Sequence, residues 1–390
     1  MRPLILMVTP YLPLQGVHAG GARMLRLLDD LVPDFRFSVL SLDGPPLTRQ
    51  EAKDARQALR ERGLALTAVP FKGSFREHLG REQPSSFTAL HSRPMRAALV
   101  RALADERPAL VQLEYTPSTA WLPLRVGVPL AVTAHQVETL AALRAARAAP
   151  RWLARARHLL DAHKALAAES AGLSRADAVF ALTPGEQRWI RAMAPKPRLM
   201  LAPMGVDRPP AKERPAEIDL VFHGDFSHPP NQQAASVLCR EILPAVRAEL
   251  PGATLSLVGP HPPRELRRLG RRLAIEVTGR VAGLHAALGR GRVYVAPLTR
   301  GAGMRGKILD ALACGLPVVT TRIGAEGLPL RDGGLCIVES HADTARCAAQ
   351  LLLDPEERAR LGRQGRQTAS RFSWARTAGV YREAYRTLLT

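Results

Sequence analysis

Apolar residues in this chain fall into short β-branched runs separated by longer stretches of helical spacing, and the two kinds alternate along its length. In the first half the pattern predicts strands over 4–9, 35–42, 64–69, 109–113, 128–134, 178–182 and 199–202. Helical patterns occupy 49–62, 95–104 and one long region from Val137 to about Ser170. A further helix, opened by Gly20-Gly21 after a Pro- and Gly-rich loop at 10–19, carries Met24, Leu25, Leu27, Leu28 and Leu31 on its apolar side. Strands apolar on both faces, alternating with helices, argue for a parallel sheet covered on both sides. The alternation pauses at 209–215, a short proline-rich and charged stretch that reads as a linker. It then restarts, with strands over 218–223, 253–258, 274–277, 293–296, 317–320 and 334–338. The helices here are 232–250, 263–272, 304–314, 342–353 and 355–371, before a final amphipathic helix from Ser373 to Leu389. The expected organisation is two α/β domains, 1–208 and 209–372, with 373–390 as a separate closing helix.

Composition narrows this without changing it. A chain of 390 residues suits two domains of ordinary size, and 46% hydrophobic residues fill two cores. No apolar run approaches the roughly 18 residues of a spanning helix, and Leu4–Val8 is too short for a signal-peptide core. The cysteines at 239, 314, 336 and 347 lack metal-ligand spacing and read as reduced core thiols, so a cytoplasmic location is expected. The formal charge of +20 invites a nucleic-acid reading, but the arginines are spread over the whole length and no nucleic-acid motif stands out. A basic surface equally suits an enzyme that takes phosphorylated donors at an anionic membrane face. One region fits that use: Arg144, Arg147, Arg151, Arg155, Arg157 and Lys164 share a helical stretch with Trp152, Leu153, Leu159 and Leu160.

The chemistry concentrates after the strand at 293–296. Gly301-Ala302-Gly303 lets the backbone turn tightly and approach a ligand, and Met304 leads into a helix with Ile308, Leu309, Leu312 and Ala313 on its apolar side. A glycine loop feeding a helix N-terminus gathers outward N–H groups and the positive end of the helix dipole, which favours anions. Arg305 and Lys307 sit beside it, and the chain uses only six lysines among its 55 basic residues. Arg grips phosphate with paired hydrogen bonds and Lys adds a mobile point charge, so the pair suggests a diphosphate. Regular helical geometry would place the two about 200° apart, so Arg305 is expected in an irregular first turn and Lys307 in the helix proper.

This stretch, Gly-Ala-Gly-x-Arg-x-Lys-Ile-Leu-Asp-Ala-Leu-Ala-Cys-Gly-Leu-Pro-Val-Val-Thr-Thr, resembles the donor-site signature of retaining glycosyltransferases of the GT-B fold, family four (glycosyl transferases group 1), in the branch with a Gly-Ala-Gly-x-Arg-x-Lys loop. The resemblance implies two Rossmann-like domains whose parallel sheets face each other across a cleft, with the last helix crossing back to the first domain. It also implies transfer of a sugar from a nucleotide-diphosphate donor to a glycan or lipid-linked acceptor, with retention and without a metal or other cofactor. No Asp-x-Asp pair for a divalent ion is apparent. The family's two glutamates, separated by seven residues, correspond here to Ala302 and Asp310. That departure keeps open a protein with the fold and nucleotide binding but no turnover.

Other positions follow from the crevice rule for parallel sheets, which places ligands at the carboxyl ends of the strands. His135 follows the strand at 128–134, in a Thr-Ala-His-Gln that resembles the family's Thr-x-His-Asp; a neutral imidazole there is expected to donate a hydrogen bond to the sugar or its leaving oxygen. Gly20 and Gly21 match the family's substrate-facing loop or serve only a tight turn, and Glu114-Tyr115 either faces the acceptor or is structural. Thr183-Pro184-Gly185-Glu186 reads as a helix cap, and 203–207 as a hinge. The loop 224–231 lacks the Arg and Lys that many family members carry there, which puts more weight on Arg305 and Lys307. Gly279-Arg280 lies where the family contacts the base or is an ordinary turn; Asp310 is expected on the ribose diol and Glu326 on a ribose or sugar hydroxyl. The expected site is therefore His135, Arg305 and Lys307 for catalysis, with Gly20, Gly21, Arg280, Gly301, Ala302, Gly303, Met304, Asp310 and Glu326 binding substrate.

Overall fold

The alternation of strand and helix resolves into two all-parallel sheets, in a computed structural model that describes residues 2–14, 19–44, 47–71, 84–207, 209, 216–331 and 333–390. The chain divides into two compact units, Met1–Pro203 with Ala375–Thr390, and Met204–Trp374. The first unit runs β1 (Leu4–Thr9), α1 (Ala19–Leu31), β2 (Arg36–Asp43), α2 (Arg49–Glu61), β3 (Ala65–Pro70), α3 (Ser85–Ala89), α4 (Arg93–Glu106) and β4 (Leu110–Glu114). It continues with a 3₁₀ turn at Thr116–Trp121, then β5 (Leu130–Ala134), α5 (Glu138–Ala148), α6 (Trp152–Leu173), β6 (Ala178–Ala181), α7 (Pro184–Met193) and β7 (Arg198–Leu201). Its strands lie in the order β3-β2-β1-β4-β5-β6-β7. Successive side chains point to opposite faces: Leu6 and Val8 enter one core with Val111 and Val132, while Ile5 and Met7 enter the other with Met24, Leu28 and Phe180.

The second unit has β8 (Ile218–His223), α8 (Pro229–Val237), α9 (Leu243–Glu249), β9 (Leu255–Val258), α10 (Arg264–Leu273), β10 (Glu276–Gly279) and α11 (Leu284–Gly289). It closes with β11 (Gly291–Ala296), α12 (Gly306–Ala313), β12 (Val318–Thr320), β13 (Leu335–Ile337), α13 (His341–Leu353) and α14 (Pro355–Ala369). The strand order is β10-β9-β8-β11-β12-β13. In each sheet the order reverses beside the first strand of the unit, at β1/β4 and at β8/β11, which are the switch points where such sheets open a crevice.

Some elements differ from the sequence expectation, each for a local reason. The helical region after Val137 is two helices, because Pro150 has no N–H and pushes Ala149 into extended backbone at φ −73°, ψ 123°. The helix expected at 232–250 begins at Pro229 and contains a π turn at Leu238–Ile242 immediately before Pro244, whose missing N–H interrupts the regular ladder. β10 runs to Gly279, so that glycine ends the strand rather than following it. The short α3, α11 and 3₁₀ turn carry too few residues to show a period. Of the expected linker only Pro209 is described, and the loop at 10–19 lies outside the described residues from 15 to 18. Thr183 caps α7, its hydroxyl accepting the Glu186 N–H at 3.1 Å.

The final helix, α15 (Trp374–Leu389), packs on the first unit through Tyr381 and Tyr385. Arg23 of α1 is fully buried and donates to the carbonyls of Ala202 (2.8 Å) and Pro203 (2.9 Å) and to the Tyr381 hydroxyl (3.1 Å). The Tyr381 hydroxyl also meets Thr133 at 2.7 Å, its ring stacks on Phe180, and Tyr385 donates to Gln112 at 3.0 Å. Helix and sheet are thus joined by hydrogen bonds inside an aromatic core, where leaving a partner unmade is costly. Tyr381→Phe keeps the packing and removes the hydroxyl. It is expected to lower unfolding stability by about 1–3 kcal/mol in urea denaturation, with an unchanged far-ultraviolet spectrum.

Candidate active site

At the second unit's switch point lie two cationic side chains, Arg305 and Lys307. Gly301 (φ 99°) and Gly303 (φ 86°) hold left-handed backbone that only glycine adopts freely, so the loop turns sharply around a buried Ala302. α12 begins at Gly306, two residues later than the periodicity suggests, and Arg305 stands at its N-cap in extended backbone (φ −94°, ψ 93°). Arg305 therefore lies outside the regular helix and Lys307 inside it. The Arg305 guanidinium folds over its own loop, donating to the carbonyls of Ala302 (2.7 Å) and Arg300 (3.4 Å). Lys307 crosses to the end of β8, where its ammonium donates to Asn231 Oδ1 and lies 5.1 Å over the Phe222 ring. Gly224 makes room for it: a Cβ there would sit 2.8 Å from the Lys307 Nζ. The loop 224–231 supplies no cation of its own, and instead forms the seat for the cation from α12.

Burial, reinforced by the nearby Arg305 charge, pulls the Lys307 pKa down to about 7. His228, at the N-cap of α8, is held below its ordinary pKa, first by burial and then by Lys307 and Arg305. An anion placed among these three groups would relieve both the repulsion and the desolvation.

Asp310, one turn further along α12, is already engaged. Its carboxylate oxygens lie 3.6 Å from His223 Nε2 and 3.5 Å from His285 Nε2. Burial acts to raise its pKa, but the two imidazoles outweigh it and hold the group below the usual carboxylate range. His223 is kept below its ordinary pKa chiefly by burial, and its Nδ1 meets the Tyr294 hydroxyl at 3.1 Å. Asp310, expected on the ribose diol, thus has two side-chain partners of its own unit. Neither histidine was singled out from the sequence. His223 is the last residue of β8 and His135 the first after β5, so the same crevice rule applies to both; His285 lies in the short α11, whose six residues gave no periodicity.

The remaining expected positions separate. Met304 and Ala302 are buried, so the loop offers backbone rather than those side chains. Arg280 is exposed just past β10, and Glu326 is half-buried in a turn after β12. Among the described residues no group of three or more His, Cys, Asp or Glu is arranged to hold a metal ion.

The first unit's switch point holds a second constellation. Gly20 and Gly21 are buried in the first turn of α1. A Cβ at Gly20 would lie 1.7 Å from the Tyr115 hydroxyl, so the glycine is needed for close approach of that side chain. Tyr115 takes a positive φ of 68° at the end of β4, which for a bulky residue is strained backbone. Its ring stacks on His135 with centroids 3.8 Å apart and meets Tyr11 edge-on at 5.5 Å. His135 Nε2 is 2.6 Å from the Glu114 carboxylate.

Comparison with known proteins agrees with this architecture. Residues 19–205 match the family model described as Glycosyl transferase 4-like domain, and residues 217–354 the one described as Glycosyl transferases group 1. Each half of the chain thus matches a glycosyltransferase model, and the fold is that of GT-B proteins. A D-inositol 3-phosphate glycosyltransferase from Saccharomonospora viridis is 42% identical over 83 residues, covering 20% of this chain and 19% of that relative. The chain therefore aligns with about a fifth of the length of the curated relatives it matches. Sucrose-phosphate synthase from Thermosynechococcus elongatus superposes with a TM-score of 0.72 at 19% identity over 99% of both chains. Anabaena HepE in complex with UDP-glucose gives 0.70 at 15% identity over 99% of this chain and 100% of its own.

The position of Lys307 has a consequence for pH. With a pKa of about 7 when the site is empty, it is largely neutral above that value. Binding a diphosphate favours the charged form, so binding above pH 7 takes up a proton and weakens by up to tenfold per pH unit; below pH 7 this dependence vanishes. Calorimetric titration of a nucleoside-diphosphate sugar in buffers of different ionisation enthalpy measures the proton uptake at pH 8. Lys307→Met should abolish it.

Proposed function

We propose that this chain transfers a hexosyl group from a nucleoside-diphosphate sugar to a glycan or lipid-linked hydroxyl, with retention of configuration and without a metal ion. The observation that carries the reading is the seating of Lys307 against Gly224 and Asn231, with Arg305 and His228 in electrostatic reach, at the switch point of the second unit. HepE, which shares the fold, is described in complex with UDP-glucose, and this favours a uridine diphosphate donor. The two glycosyltransferase matches support glycosyl transfer as the reaction class.

In this reading the anomeric carbon–phosphate oxygen bond breaks as charge builds on the departing diphosphate. Lys307, Arg305 and the α12 N-terminus stabilise that charge electrostatically, the part that a divalent ion plays elsewhere. The acceptor oxygen bonds to the same face of the anomeric carbon, and its proton passes to the leaving phosphate oxygen. Arg305 must turn from its own loop carbonyls toward the phosphate, a side-chain movement only. Asp310, held by His223 and His285, contributes a fixed negative group that a ribose hydroxyl can reach as a donor.

A charge-assisted contact is worth about 1.5–3 kcal/mol, so Arg305→Ala and Lys307→Ala should each weaken nucleoside-diphosphate binding roughly 10- to 150-fold while leaving free nucleoside affinity unchanged. Parallel titrations of nucleoside, diphosphate and sugar donor check this, and equal diphosphate affinity in both variants would remove the assignment. Release of sugar from the donor, with and without a chelator, separates a metal-independent enzyme from a protein that binds nucleotide without turnover, the reading that Ala302 leaves open.

Association with an anionic membrane surface on the cytoplasmic side belongs to the same proposal. α6 exposes Trp152 (76%), Leu153 (63%) and Leu160 (56%) beside Arg151, Arg155 and Arg157. Among the described residues no helix is long and apolar enough to cross a membrane, whereas a basic apolar face suits lying on one. Flotation with vesicles should recover the protein with anionic lipid and not with neutral lipid, and Trp152→Ala with Leu153→Ala should lower the recovery.

A further inference from the structure

The Glu114–His135 pair carries an inference about which atom meets the sugar. Glu114 is the last residue of β4 and fully buried. A chain of hydrogen bonds converges on it: Arg23 donates to the Tyr381 hydroxyl, that hydroxyl lies 2.7 Å from Thr133, and Thr133 donates to Glu114 at 3.3 Å. Gln112 donates to the same oxygen at 3.1 Å, and the other oxygen is 2.6 Å from His135 Nε2. A carboxylate only accepts, so the proton in the last contact belongs to Nε2. Burial holds the imidazole below its ordinary pKa against the opposing pull of Glu114, which keeps the ring neutral near pH 7. A neutral imidazole has one N–H, and Nδ1 is then a bare acceptor. The stacked Tyr115 ring fixes the plane in which that lone pair points.

We propose that Glu114 is a positioning residue that pins His135 in the Nε2–H form, so that Nδ1 accepts a hydrogen bond from a sugar hydroxyl. This rests on the glycosyl-transfer reading for the identity of the ligand, and it reverses the donor role expected of His135 from its place at a strand end. The groups facing the imidazole are Glu114 from β4, which raises its pKa, Arg23 from α1, which lowers it, and Tyr115, whose phenol burial keeps neutral.

The tautomer is read directly from the long-range nitrogen–proton spectrum of the full chain labelled with ¹⁵N-histidine, with His135→Gln assigning the signal. A protonated Nε2 and an unprotonated Nδ1 near neutral pH are expected; the Nδ1–H form overturns the proposal whether or not the protein turns over. In donor turnover, Glu114→Gln keeps shape and burial but frees the tautomer. It should lower kcat roughly 10- to 100-fold with little change in donor KM, and move the acid limb of the pH profile to lower pH because a negative partner is lost. Glu114→Gln combined with His135→Ala should be no slower than His135→Ala alone. Independent, multiplicative losses would show that Glu114 serves only the core.

Discussion

Parallel strand direction is the constraint on which the site chemistry depends. Because every strand in a sheet runs the same way, every carboxyl end lies on one edge, and strand order reverses at one place on that edge. In the first unit this gathers Tyr11, Glu114, Tyr115 and His135 around β1, β4 and β5; in the second it gathers His223, Gly224 and the loop that leads into α12. Apart from the adjacent pairs Glu114-Tyr115 and His223-Gly224, these groups come from separate stretches of the chain. Their meeting follows from crossover connections that return each strand to the same starting edge.

Within that frame, the two constellations handle charge differently. The second unit concentrates positive charge in a half-buried seat. Lys307 there has lost much of its hydration and has gained only a neutral amide, a ring face and distant carboxylates, so an anionic ligand would supply what burial removed. The first unit concentrates acceptor capacity instead. Glu114 collects donors from three side chains, and its contact with His135 is the one that reaches the edge of the sheet. Tyr381 ties this network to the last helix, so the closing segment of the chain takes part in orienting groups at the end of β5.

Close approach explains the local sequence better than flexibility does. Gly20 leaves space for the Tyr115 hydroxyl and Gly224 leaves space for the Lys307 ammonium. At Gly301 and Gly303 the backbone itself requires glycine, and the buried Ala302 between them stands where the resemblance would place a glutamate. A glutamate at that position would need its carboxylate turned out of a tightly wound loop.

From sequence alone, the fold class was legible, because strands buried on both faces must be apolar throughout and helices must carry an apolar stripe; short continuous apolar runs and a 3.6-residue period record those demands directly. The Gly-Ala-Gly loop was legible for a related reason: glycine and charge in one short stretch are local signals. Short helices, the break at Pro150 and the π turn before Pro244 were less so, since few residues or one missing N–H leave little periodic trace. Only the tertiary structure decided that Asp310 is held between His223 and His285, that Lys307 rests on Asn231, that Arg23 is a buried tie to Tyr381, and that Glu114 lies against His135 Nε2. Each of these joins residues distant in the chain, and pairings of that kind are fixed by strand order and packing rather than by any pattern within a window of sequence.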